Sequence, residues 1–474
     1  MKLSIRLPAF KSYLVLGRNM LNMRSDSTKH ICLITLCLIT SILVASARAD
    51  EEFTLIKTLQ SPKPSDRGGF GFDIALDADF LIIGEWYASI DDLEQAGGAY
   101  IYDSQWSIIS TLTSSVPANG DTFGNTVDVN GDMVVVGSPR TKPEGNNEVG
   151  EAHVFNSEGS LLFILQSPTP SVSGYFGYEA VLGSDIIVVA EPGGVKEVYF
   201  AGCIHVYDSE GVHITTLVSP SKKANSEFGR SLAVSDEYII AGEPGWYGGA
   251  IERGSVHVFD YSWMHVATLN APEQGERTLF GYRVAIDGDI IVVGEPLAAV
   301  DGHEKAGRAH IFDTGWNHLV TLQAPAPEDN GEFGIDVAVS GDLVVVGECK
   351  RDLDVLNEGA AYVFDLEGNL VNSLVSPEPS VGAQFGTRVA VDGEIVVVSE
   401  VEATVDGVSK AGKVYVFGLG EPVTEQPTQE DEIIDTESES ESEKSGGIPG
   451  FPLESVVISL ALAVLGMWFI RKQR

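Results

Sequence analysis

The sequence predicts an all-β chain folded as a seven-bladed β-propeller. Its N-terminal strand closes the last blade, and a C-terminal transmembrane helix follows. Three observations predict this. A Phe-Gly pair recurs every 52 or 53 residues, opening at Phe70, Phe123, Phe176, Phe228, Phe280, Phe333 and Phe385. Each complete unit holds four short β-branched runs divided by turn signals, the mark of four antiparallel strands, and a period near 50 residues built this way is a propeller blade. Finally, the fourth run that the last unit lacks stands ahead of the first unit.

The fifth unit shows the elements in order. Phe280-Gly281 opens a first strand running to Ile286, and Asp287-Gly288 is a two-residue hairpin signal. The run from Asp289 to Pro296 is the second strand, Gly307 to Phe312 the third, and His318 to Gln323 the fourth. The last unit ends at Lys413–Phe417 and then meets a polar segment. Its missing strand is Phe53–Gln60, followed by Ser61-Pro62 just as Leu217-Val218-Ser219-Pro220 and Leu374-Val375-Ser376-Pro377 end complete units. Pairing this strand into the last blade removes an open edge.

Composition and the two ends speak to location. Of 474 residues, 30 are Lys or Arg and 68 Asp or Glu, a net charge of −38, which repels phosphate and argues against nucleic acid as a partner. Residues 1–49 read as a signal peptide: basic residues, an apolar run from Ile31 to Ala45, then Ala47-Arg48-Ala49 before Asp50. The propeller occupies 50–420. An acidic stalk over 421–447 carries ten carboxylates among Ser, Thr, Pro and Gln, too polar to bury a core. Residues 448–474 read as a transmembrane or sorting anchor: an uncharged run from Val456 to Ile470 precedes Arg471-Lys472-Gln473-Arg474, whose basic end stays cytoplasmic. With Pro449-Gly450-Phe451 before it, this tail resembles the PGF-type sorting signals of archaeal surface proteins, which implies a single-pass cell-membrane protein with the propeller outside.

The units themselves resemble FG-GAP repeats, found in integrin α-chain propellers and in many prokaryotic surface proteins. The matching residues are the Phe-Gly pairs, the run ending Gly137-Ser138-Pro139 (Gly-Glu-Pro in other units) and the Gly-x-Ala-x-Val-Phe third strand, over residues 53–417. The resemblance implies a domain that binds proteins or glycans. It also implies calcium in an Asp-rich loop between the first two strands. Here that loop is cut to stretches such as Asp77-Ala78-Asp79 and Asp287-Gly288-Asp289, too short to supply six to eight oxygens, so these acids read as turn formers and no metal or cofactor is expected.

Several constellations bear on chemistry. His153, His205, His257 and His310 share one third-strand position with Tyr100, Tyr362 and Tyr415, which suits packing by a flat ring with a polar tip. Cys203 and Cys349 fall in different repeats and read as buried small hydrophobes. Glu85, Glu191, Glu243, Glu295, Glu348 and Glu400 end six second strands, with Ser138 in the remaining unit. They would form either an acidic ring that attracts cations or a basic partner, or six local caps of backbone N–H groups, the reading we prefer. The loops that follow are the most varied part of the units and offer aromatic candidates for a ligand-binding surface: Trp86, Tyr87, Tyr199, Phe200, Trp246 and Tyr247. The nucleophile-elbow and His-Glu-x-x-His motifs are absent, so catalysis is not expected. The expected function is a surface binding or adhesion module for a protein or glycan. The alternatives are a carbohydrate-active enzyme using channel carboxylates and a structural surface-layer component.

Overall fold

The computed structural model describes residues 52–90, 92–142, 148–194, 201–221, 223–245, 254–273, 275, 277–353 and 355–420. The signal-peptide, stalk and anchor segments lie outside the described residues. Within them the chain forms seven four-stranded antiparallel sheets, each with its strands in consecutive order but one. The exception is the last blade, where Phe385–Asp392, Ile395–Glu400 and Lys413–Leu419 are joined at the rim by Phe53–Gln60. That strand runs antiparallel to Lys413–Leu419 from Phe53↔Leu419 to Gln60↔Lys413, with one bulge between Leu55 and Lys57. The ring therefore closes as its repeat count requires.

The core lies between blades. Second and third strands are buried on both faces, so they read as near-continuous apolar runs, and alternation sends neighbouring side chains to opposite sides. Val344 and Val346 pack with Val292, Ala309 and Ile311 of the preceding blade, whereas Val345 packs with Val389, Val396 and Val398 of the following one. All seven Phe-Gly phenylalanines are fully buried. Each lies against the His or Tyr of its own third strand, as in Phe280–His310 at 5.6 Å and Phe70–Tyr100 at 5.5 Å between ring centroids.

Glycine is demanded where one blade meets the next. Gly307 has φ +88°, and a Cβ there would stand 2.0 Å from the carbonyl oxygen of Phe333. Gly359 against Phe385 repeats the contact, so a side chain at either position would push adjacent blades away from each other.

The hairpins at the opposite face are stitched by their acids. Asp77 accepts from Asp79 and Phe80 N–H in its own turn and from Gly131 N–H of the next blade. The Asp287 carboxylate likewise takes Gly341 N–H. These acids do form turns, and they also join neighbouring turns.

Candidate functional site

The six glutamates do not form an exposed ring. Glu85, Glu191, Glu243, Glu295, Glu348 and Glu400 are all buried, each at the end of a second strand and opposite the start of the third, as in Glu243↔Ser255. Two residues further along the third strand, on the same face, stands the His or Tyr. Tyr100, Tyr362 and Tyr415 donate to Glu85, Glu348 and Glu400 at 2.6, 2.7 and 2.7 Å. His205, His257 and His310 place Nε2 at 2.9, 2.5 and 3.0 Å from Glu191, Glu243 and Glu295.

A second donor comes from the blade before. Ser61 follows the outer strand of the last blade and donates to Glu85 of the first at 2.8 Å. Ser167 donates to Glu191 at 2.7 Å and Ser219 to Glu243 at 2.8 Å. The partners are thus side-chain hydroxyls and imidazoles rather than backbone N–H groups. Both sequence expectations for these acids are corrected: burial withdraws the charge from the surface, and the donors come from the next strand and the neighbouring blade. Glu85, Glu191 and Glu243 thereby latch two blades together, whereas Ala271 and Ala324 stand where Glu295 and Glu348 would need that serine.

The second blade tests this logic. Ser138 replaces the glutamate and bonds Thr141 at 2.6 Å, and both ring nitrogens of buried His153 are left without a hydrogen-bond partner, Glu151 standing 4.0 Å from Nε2. Burial pushes the His153 pKa down to about 4. Losing a hydrogen bond to a charged group costs roughly 1.5–3 kcal/mol. His257→Phe, which leaves Glu243 only its Ser219 and Ser221 donors, is therefore expected to lower unfolding free energy by about that much. His153→Phe removes no hydrogen bond and is expected to cost under about 1 kcal/mol. Denaturant unfolding of the two variants checks this; equal losses would show that the latch contributes nothing.

A different set of residues gathers at the axis. The first strands line a central cavity of about 290 Å³, which opens on the Phe-Gly face into a mouth of about 320 Å³. The mouth is built by the two residues after each Phe-Gly pair. Arg230 lies over the rings of Tyr178 and Tyr282, at 4.9 and 5.3 Å from their centroids. Arg388 lies 5.4 Å from the centroid of Phe72. Arg283 reaches Glu179 at 3.0 Å and Asp336 at 3.3 Å, and Arg388 reaches Asp73 at 3.3 Å. Lys350 pairs with Glu332 at 2.7 Å. With Arg230 beside Glu227 at 3.2 Å, every arginine and lysine named at the mouth faces at least one carboxylate, so the mouth presents paired charges and aromatic faces rather than an unmatched cation.

Trp86 and Tyr87 adjoin this mouth through Phe72, which lines it. Phe72 stacks on Trp86 at 3.9 Å, and Trp86 on Tyr87 at 3.7 Å, so the loop rings form a half-buried column leading outward from Phe72. Tyr199, Phe200, Trp246 and Tyr247 lie outside the described residues. Missed in the sequence were Phe72, Tyr178, Arg230, Tyr282, Arg283 and Arg388. Their signal was the pair of adjacent positions after Phe-Gly, where the seven units differ in size and charge.

The ring of four-stranded blades defines the chain as a repeat-built β-propeller. Residues 106–155, 263–312, 316–364 and 369–417 each match the FG-GAP repeat family, so four FG-GAP repeats lie within a seven-bladed β-propeller. The matched unit begins near the outer strand of one blade and ends in the third strand of the next. That is the phase of this chain, whose described fold opens on an outer strand and finishes on a third. Among solved structures, the crystal structure of BamB from Moraxella catarrhalis is similar over 77% of this chain and 99% of that one, at 13% identity and a TM-score of 0.42, too slight a likeness to argue from. No curated protein matches.

Proposed function

We propose that the protein is a cell-surface, membrane-anchored binding module that presents its Phe-Gly face to a protein or glycan partner. The observation that carries this reading is the mouth of the channel, where the Phe72–Trp86–Tyr87 column and the Arg230–Tyr178–Tyr282 stack stand beside charges already neutralised in pairs. Flat rings with fixed hydrogen-bonding groups recognise a sugar face or an aromatic-rich protein patch. Because the ring holds the loops in place, binding orders little chain and loses little entropy. Secretion and anchoring rest on the two terminal segments of the sequence.

A hydrolase reading would require a free pair of channel carboxylates. It is disfavoured by their engagement: Glu179 is held by Arg283 at 3.0 Å, and Asp128 accepts Leu182 N–H at 2.7 Å.

The test is glycan and protein arrays probed with the purified full chain, together with capture from the envelope of the source cells. Trp86→Ala with Tyr87→Ala is expected to weaken the captured partner at least about tenfold, or 1.4 kcal/mol, with the melting temperature preserved. Binding untouched by these changes, or blank arrays with an empty capture, would overturn the reading.

A further inference from the structure

One blade adds a ligand set that the others lack. In the third blade, Cys203 stands directly opposite Glu191 in the sheet register. Its Sγ lies 3.4 Å from His205 Nε2, and that nitrogen lies 2.9 Å from Glu191 Oε2. The thiol, imidazole and carboxylate ligand atoms all fall within 4.8 Å of one another, and all three residues are buried. The position of Cys203 is filled in the other blades by Gly98, Glu151, Ser255, Arg308, Ala360 and Lys413. A basic residue there would repel a cation, so the feature belongs to this blade and not to the repeat.

We propose that Glu191, Cys203 and His205 form a binding site for one zinc-like divalent cation. The argument is geometric and electrostatic. With metal–sulfur bonds near 2.3 Å and metal–nitrogen or –oxygen bonds near 2.0–2.2 Å, neighbouring ligands of a tetrahedral ion stand roughly 3–4 Å apart, close to the spacings seen here. Sulfur and imidazole ligands select a borderline-soft ion over calcium or magnesium. Charge balance also fits burial: a divalent ion with one thiolate, one carboxylate and one neutral imidazole sums to zero. The Cys203 thiol, whose pKa burial drives upward, gives up its proton to solvent as the ion enters.

An outer shell is already in place. His205 Nδ1 lies 2.9 Å from Thr216 Oγ1, which fixes the ring and points Nε2 at the site. Ser167 and Ser171 donate to the two oxygens of Glu191 at 2.7 and 3.0 Å, which orients the carboxylate.

The probe is cobalt(II), which gives a thiolate charge-transfer absorption only when bonded to sulfur. The full chain carrying Cys32→Ser and Cys37→Ser, refolded with cobalt so that entry is not limiting, is expected to show this band at one ion per chain and to lose it on adding zinc. Cys349→Ser should keep the band. Cys203→Ser should abolish it and weaken zinc binding by more than about 100-fold, while Thr216→Val should weaken binding roughly 10–100-fold. Should Cys203→Ser fold poorly, His205→Tyr serves instead. It copies the Tyr-Glu pair of Tyr100, Tyr362 and Tyr415, keeps the latch and removes the nitrogen ligand. A natively folded chain without the band, a band lost in Cys349→Ser, or unchanged zinc binding in either site variant overturns the assignment.

Discussion

A chain lacking residues 53–60 is expected to lose its cooperative unfolding transition altogether. The segment supplies the rim strand of the last blade through seven registered positions on Lys413–Leu419. Phe53 is buried with the seam of the sixth and seventh blades, and Leu59 with that of the seventh and first. The deletion removes two buried apolar side chains, at about 1.5–3 kcal/mol each, and ladder hydrogen bonds netting about 1 kcal/mol each. It also frees the Ser61 donor of Glu85, leaving that carboxyl only Tyr100. Together these losses approach the roughly 5–15 kcal/mol that holds a typical domain folded. Circular dichroism against temperature gives the answer; a truncated chain that melts as sharply and as high as the parent would mean that the ring does not depend on this closure.

The second large effect is with pH. Burial raises Glu85 and Glu348 from the ordinary 4.5 to about 7, with hydrogen bonds from Tyr100 and Ser61, or from Tyr362, only partly opposing it. The structure gives the reason: in both carboxyls Oε1 is buried without a partner, so the protonated form is the better occupant. Glu243 is the contrast. Burial works against its charge there too, yet His257 and Ser221 hold it below the ordinary value, because both of its oxygens are taken. A carboxyl raised in the folded state contributes stability that is complete below pH 4.5 and is lost as pH rises through 7. At about 1.4 kcal/mol per pKa unit, each of the two contributes about 3 kcal/mol over that window. The double variant Glu85→Gln, Glu348→Gln is therefore expected to be stabilised relative to the parent at pH 8 by several kcal/mol more than at pH 4.5. Urea unfolding at the two values checks it; parallel profiles for parent and variant would show that these carboxyls stay ionised.

The repeat made most of the fold readable. Because Phe-Gly, Asp-Gly and the β-branched runs return seven times, strand order and the circular closure follow from counting. The latch was half readable. Glu243 and His257 were each visible as members of a repeated set, but the loops between second and third strands differ in length. The register that brings Glu243 opposite Ser255, with His257 two residues on, is therefore not written in the spacing. The correlation that could have revealed it is Ser138, where the missing acid coincides with the unpartnered His153. The mouth was hardest to see because averaging over repeats discards what differs between them: Phe72, Asn125, Tyr178, Arg230, Ile335 and Thr387 occupy equivalent positions with unlike residues.

Closing the ring with the N-terminal strand also has a mechanical consequence. Lys413–Leu419 is the last of the described strands, and it lies inside its sheet between Ile395–Glu400 and Phe53–Gln60. Tension applied at Gly420 would be carried along that strand as shear by hydrogen bonds on both flanks at once, so a pull there cannot peel the strand away one rung at a time, as it could from an outer edge.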